Sequence, residues 1–213
     1  DGFTSAGTAQ TVLFVDSQDT LTPAGSSSSQ DTIVTLRNLQ LGSSASVEKL
    51  VLGGSAAINA TGNAAAQELI GNAAGNRLEG GAGLDRITGG DGGDSFVYSA
   101  LGDALVGGSS TSRSFEWITD CDASQDRIDA PGSTQRNISD LGNASSLSDT
   151  GLRGLLTAGN FAAGAAVLFH SGTGAGERLF LGLNDNSAGF DPLRDAIVEL
   201  TGLRGNPLSL LVS

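Results

Sequence analysis

The sequence predicts a mainly β protein: a right-handed parallel β-roll over residues 1–106, continued and capped by a C-terminal β-rich domain, 107–213, with one short helix. Three observations predict it. A nine-residue period runs from Gly62 to Val97; 32 glycines, and Asp exceeding Glu by 17 to 6, suit tight turns better than helices; and short apolar runs lie on both sides of the repeat. A fixed period of this length is the signature of stacked turn-and-strand units.

Four blocks begin at Gly62, Gly71, Gly80 and Gly89. The last two, Gly80-Gly81-Ala82-Gly83-Leu84-Asp85-Arg86-Ile87-Thr88 and Gly89-Gly90-Asp91-Gly92-Gly93-Asp94-Ser95-Phe96-Val97, match G-G-x-G-x-D-x-U-x, where U is a large apolar residue. The first two are weakened copies in the same register. Glycines at positions one, two and four permit a tight turn whose carbonyl oxygens point inward at an ion. The Asp at position six adds a hard, charged oxygen. The apolar residue at position eight then enters the core from a short strand, and its neighbours at seven and nine face out. A flexible linker would have no reason to keep Leu69, Leu78, Ile87 and Phe96 nine residues apart.

Two blocks complete one coil, so turns eighteen residues apart stack on the same side. A Ca²⁺ ion takes about six to eight oxygens, more than one short turn offers, so each ion is expected between two stacked turns. This spacing sorts the candidate ligands into two rows. Asn76 pairs with Asp94 in one, and Gln67, Asp85 and Asp103 fall in line in the other, with Leu105 at the apolar position of the last block. Gln67 and Asn76 carry no carboxylate, so the early sites are expected to be weak or empty.

The net charge of −12, from 23 acidic and 11 basic residues, disfavours nucleic acid and anionic membrane as partners and favours cations. The single cysteine, Cys121, forms no internal disulfide, so for a secreted protein bound calcium is the natural substitute for cross-links. No segment approaches the roughly 20 apolar residues of a membrane span. With no signal peptide and no Met, the chain is expected to be a processed product or a fragment of a longer protein.

Along the chain, strands are expected at 10–16, 31–36 and 47–52, the second opening with an Asp two residues before Ile33 as the repeats do. The run Val12-Leu-Phe-Val-Asp16, Asp19-Thr-Leu21, Asp31-Thr-Ile-Val34, Val47 to Leu52 and Ala56 to Asn63, followed by nonamers, resembles the entry into the β-roll of RTX (repeats-in-toxin) proteins. These are calcium-binding proteins exported by type I secretion. The resemblance covers roughly residues 10–106 and implies that the turn aspartates Asp85, Asp94 and Asp103 bind calcium together with the carbonyls of Gly80, Gly81, Gly83, Gly89, Gly90 and Gly92.

Beyond residue 106 the composition changes. Phe96-Val-Tyr-Ser99, Asp103, Ile118-Thr-Asp120 and Asp126-Arg-Ile-Asp129 are similar to the closing region of serralysin-like β-rolls. Four aspartates, Asp120, Asp122, Asp126 and Asp129, have two equal readings: one more cation site, or a solvated turn with Ile128 packed inward. Ser148 to Gly159 has a capping residue, apolar positions at helical spacing and a terminal glycine, which makes it the one expected helix. Strands are expected at 165–170, 178–183, 196–200 and 208–212. This helix with Phe180-Leu-Gly-Leu-Asn-Asp185, Gly189-Phe190 and Asp195 to Gly202 resembles the bluetail domain, a C-terminal module of surface proteins that carry RTX repeats.

No catalytic constellation emerges. A single histidine, His170, rules out H-E-x-x-H, and at the end of an apolar strand it reads as structural. Cys121 lacks an evident base partner and reads as an inert thiol. The chain is therefore expected to be a non-enzymatic calcium-binding module, extracellular or on the cell surface, that folds on binding calcium after type I secretion. Two other readings stand beside this one. In the first, exposed β edges pair copies into an oligomer, filament, matrix or adhesin. In the second, the chain is the accessory tail of an RTX enzyme such as a protease, lipase or epimerase. Residues 107–213 are expected to cap the roll, with the helix and later strands packing over Phe96 and Leu105.

Overall fold

The computed structural model describes residues 31–104, 107–109, 112–131 and 138–212, with the strand backbone at Gly2–Phe3, Val12–Val15 and Thr20–Leu21. Leu105 lies outside the described residues. The chain is mainly β, with largely parallel sheets and one α-helix among the described residues. Ten strands form one sheet, in the order Ser139–Asn143, Ala166–Ser171, Arg178–Leu183, Ala196–Leu200, Glu116–Ile118, Arg86–Thr88, Glu68–Ile70, Lys49–Leu52, Thr32–Thr35 and Val12–Val15. Six form a second, in the order Leu211–Val212, Arg127–Asp129, Ser95–Val97, Arg77–Glu79, Ala60–Thr61 and Leu39–Gln40. Both sheets are open.

Through the repeats the chain alternates between the two sheets. Ile87 pairs with Leu69 in one, and Phe96 with Leu78 in the other, each parallel and eighteen residues apart. The apolar residue at position eight is buried in every block, so Leu69, Leu78, Ile87 and Phe96 meet in one cluster that also holds Leu50, Ile118, Ile128 and Val212. Such a strand is only three residues long. Its backbone pairs with the coils before and after it, and one side chain per strand is enough to hold each layer on the core.

Positions seven and nine face outward at Arg77 and Glu79 and at Arg86 and Thr88 but not in the last block, where Ser95 and Val97 are buried beside Phe96. There the Ser95 hydroxyl donates to Asp129 Oδ2 at 2.5 Å, so the outer side of this strand is covered by the following coil.

The region after the repeats extends both sheets. Glu116–Ile118 adds in parallel to Arg86–Thr88, and Arg127–Asp129 adds to Ser95–Val97. Leu211–Val212 then ends the second sheet beside Arg127–Asp129, preceded by a 3-10 turn at Pro207–Ser209, so the expected strand 208–212 is shorter than its apolar run. Within these two sheets, among the described residues, the antiparallel pairs are those of Ala166–Ser171 with Arg178–Leu183 and of Arg178–Leu183 with Ala196–Leu200.

The helix Asp149–Leu155 is capped by Ser148, whose hydroxyl accepts the Gly151 N–H at 3.2 Å. It does not pack over Phe96. Its Leu152, with Leu156 just past its end, joins Phe115, Phe161, Phe169, Phe180, Phe190 and Ile197 in a second cluster, separate from the one that holds Phe96. The reason is alternation along the late strands: Leu168, Leu181 and Val198 enter the first cluster, while Phe169, Phe180 and Ile197 point to the other face and need a cover of their own.

Candidate metal site

The turns between these strands hold the position-six residues in two rows on the inside of the molecule, Gln67 with Asp85 and Asn76 with Asp94. Gln67, Asn76, Asp85 and Asp94 are all buried. Each aspartate uses one oxygen to tie down the coil before it: Asp85 Oδ1 accepts the Gln67 N–H at 2.7 Å, and Asp94 Oδ1 accepts the Asn76 N–H at 2.8 Å. The other oxygen, Oδ2, is buried in both residues and has no hydrogen-bond partner. Leaving a carboxylate oxygen in that state is costly.

Glycine makes this arrangement possible. At Gly81 the backbone runs at φ +92°, a region open to glycine, and a Cβ there would overlap the Asn63 carbonyl oxygen of the stacked turn. At Gly80 a Cβ would overlap Asp85 Oδ2 itself. Gly90 and Gly89 repeat the pair against Asn72 and Asp94. A side chain at Gly80 or Gly89 would fill the space beside the free carboxylate oxygen, and one at Gly81 or Gly90 would collide with the stacked carbonyl.

Burial pushes the Asp85 carboxyl up to about 7; the Gln67 N–H opposes the rise and the Asp103 charge adds to it. Burial likewise pushes Asp94 up to about 6, against the Asn76 N–H and with Asp126, Asp120 and Asp91 adding to the rise. Burial thus disfavours the charged form of both carboxylates, and Asp85 and Asp94 are the residues that could hold a hard cation among buried oxygens.

The two earlier blocks close without any such need. Asn76 Oδ1 accepts the Asn72 N–H at 2.8 Å and its Nδ2 donates to the Ile58 carbonyl at 2.7 Å. Gln67 Oε1 similarly accepts the Asn63 N–H at 3.1 Å. At position two, Asn63 Nδ2 donates to the carbonyls of Gly42 and Ala45 at 3.0 and 2.9 Å, and Asn72 Nδ2 to those of Gly53 and Ala56 at 3.3 and 2.9 Å. An amide N–H₂ thus bridges carbonyl pairs of the preceding coil. Asn76, expected among the ligands, is engaged in closing its own turn. The roles of Asn63 and Asn72 were not anticipated, although their place at position two, where the later blocks have glycine, was the available signal.

Asp103 does not continue the row from Asp85. It lies in the 3-10 turn Leu101–Ala104, where its Oδ2 accepts the Ala100 N–H at 2.8 Å. The ladder partner of Arg86 is Trp117, which places Glu116 and not Asp103 next to Asp85. The chain leaves the nonamer path through that turn and the hairpin of Gly107–Ser109 with Ser112–Ser114, so counting eighteen residues no longer finds the next coil.

In the other row, Asp126 follows Asp94: its Oδ1 accepts the Asp94 N–H and its Oδ2 the Asp122 N–H, at 2.8 and 2.7 Å. Asp120 accepts the Gly89 and Gly90 N–H groups, both at 2.8 Å. Ile128 is buried and packs inward. Asp120, Asp126 and Asp129 accept hydrogen bonds from the repeats, whereas Asp122 accepts from Ser124 and Gln125 within its own turn.

Among the described residues no group of three or more His, Cys, Asp and Glu side chains converges on a point. An arrangement with one carboxylate per turn and the remaining oxygens on the backbone would not produce such a group. Cys121 is fully buried, and burial pushes its thiol well up. His170 sits with Nε2 at 3.1 Å from Asp140 Oδ2 and Nδ1 at 3.0 Å from Glu177 Oε1. Among the described residues no helix is long and apolar enough to cross a membrane. Compared with models of known families and with curated proteins, the chain matches none.

Proposed function

We propose that this chain is a non-enzymatic calcium-binding module of a secreted or cell-surface protein, and that its two stacked sheets form a right-handed parallel β-roll of the RTX kind. The observation that carries the reading is the pair of buried, partnerless oxygens, Asp85 Oδ2 and Asp94 Oδ2, each in a complete Gly-Gly-x-Gly-x-Asp turn. Asp85 would act with backbone carbonyls of the Gly80, Gly81 and Gly83 turn, and Asp94 with those of the Gly89, Gly90 and Gly92 turn. Calcium suits such a set better than magnesium, because it accepts many carbonyl oxygens in flexible geometry.

The extracellular location is part of the same proposal. Extracellular calcium modules work at dissociation constants of about 10⁻⁴–10⁻³ M, so a chain of this kind stays loose inside a calcium-poor cell and orders outside it. Circular dichroism and thermal melting with calcium and with chelator test the reading. A large calcium-dependent rise in melting temperature is expected. An unchanged signal and melting temperature in chelator would refute it.

A further inference from the structure

A cleft of about 420 Å³ opens between the turn that joins Ala166–Ser171 to Arg178–Leu183 and the loop that follows Ala196–Leu200. It lies outside the repeats. Leu179, Leu200, Leu203 and Pro207 line it with apolar surface, and His170, Glu177 and Arg178 bring its ionisable side chains. Clefts of roughly 300–1,000 Å³ that combine apolar walls with a few polar groups are the usual form of sites for small organic ligands.

Two of the three ionisable groups are already engaged. Arg178 donates from Nε and Nη2 to the two Glu199 carboxylate oxygens at 2.8 and 2.5 Å, and its guanidinium lies 5.0 Å from the centre of the Phe180 ring. His170 is held by Asp140, which stands on the edge strand Ser139–Asn143 and does not line the cleft; its Nε2 is 3.1 Å from Asp140 Oδ2. A carboxylate only accepts, so that ring nitrogen carries the hydrogen. Nδ1 faces Glu177 Oε1 at 3.0 Å, yet it is buried and has no aligned hydrogen bond. Glu177 thus stands beside the ring without being bonded to it, and its side chain is 44% exposed. Among the described residues no lysine or arginine pairs with Glu177 or Asp140.

We propose that this cleft binds an organic cation, a guanidinium or ammonium group carried on an aliphatic body, with the charge at Glu177 and the body over Leu179, Leu200 and Leu203. Three features select that class. The Glu177 carboxylate lacks a cationic partner, and two carboxylates against one imidazole leave this corner negative. A chain with a net charge of −12 attracts cations and repels anions. The apolar lining gains from burying an alkyl body, which a hydrated metal ion does not offer, and a drier site strengthens the ion pair. The site is independent of the repeat turns and of the calcium reading.

The probe is hexylguanidinium, added to the full chain in calcium-containing buffer. His170 is the only histidine, so its ring protons give isolated NMR signals that report on the cleft. These signals are expected to shift and to saturate. Hexylurea, of the same shape without the charge, should bind about tenfold more weakly, and hexanoate should leave the signals in place. Glu177→Gln, a change in an exposed turn, should weaken hexylguanidinium about tenfold while the melting temperature stays that of wild type. A short acetylated peptide with one arginine between two leucines separates the sources of such a cation. Binding as tight as that of hexylguanidinium points to a protein side chain and binding of hexylguanidinium alone to a free small molecule, and either result supports the site. Unshifted histidine signals, equal binding of hexylurea or hexanoate, or full affinity in Glu177→Gln would each overturn it.

Discussion

Asp94 reaches back across eighteen residues to accept the Asn76 backbone N–H on Oδ1 at 2.8 Å, while its Oδ2 stays buried with no partner. Asn76 has no such vacancy, since its side-chain amide supplies both a donor and an acceptor and uses both. One row of the stack thus contains a turn that closes by itself and a turn left with an unsatisfied buried carboxylate oxygen. Asp94→Asn should therefore make its turn resemble the earlier one. We expect it to melt higher than wild type in chelator and to gain less from calcium, as differential scanning calorimetry would register.

The pH dependence should invert with calcium. Asp85 and Asp94 are held up to about 7 and about 6 in the folded chain, against 3.8 when unexposed to the fold's burial. The folded state then binds protons more tightly than the unfolded one, so the contribution of these groups is full below the unfolded value and is lost as pH rises through 6 to 7. Calcium competes with those protons and binds better as pH rises. Melting curves at about pH 5 and about pH 7.5 should show the chelated protein more stable at the lower pH and the calcium-loaded protein more stable at the higher.

Asn72→Ala removes the amide that bridges the Gly53 and Ala56 carbonyls and the oxygen that receives the Ala74 N–H. The loss should be about 1–3 kcal/mol. Because these bonds involve no ion, urea unfolding should give the same loss with calcium and with chelator.

Asp85→Ala should cost more bound calcium than Asn76→Ala. Asp85 has a free buried oxygen, and Asn76 has spent its own on Asn72. Calorimetric titration of both variants checks this, and equal losses would contradict the division of the stack into two kinds of turn.

Removing residues 206–213 should destabilise the protein in either condition. The deletion takes away the edge strand Leu211–Val212 beside Arg127–Asp129, and with it the buried side chains of Leu210 and Val212. Val212→Ala alone should cost roughly 1–3 kcal/mol, readable by urea denaturation.

The repeat was legible because each of its instructions is local. Glycine and aspartate at fixed positions set the turn, and one apolar residue in nine sets the inward face, so Leu69, Leu78, Ile87 and Phe96 were identified as core from spacing alone. Asp85 and Asp94 followed from the same period.

What lies outside the period was settled by packing over long chain separations. Asp103 keeps the eighteen-residue interval, yet a 3-10 turn and a hairpin divert the chain and hand its place to Glu116, thirty-one residues beyond Asp85. No local pattern marks Glu116, because its burial depends on the strand it meets. The helix shows the same limit: its cap and apolar spacing were readable, but which face of the sheet it covers depended on Phe169, Phe180 and Ile197 pointing away from the first core. The sequence by itself determined the turns, the period and the two aspartates. Tertiary structure alone decided which carboxylates stand next to one another, because that adjacency is fixed by strand register across the sheets and not by distance along the chain.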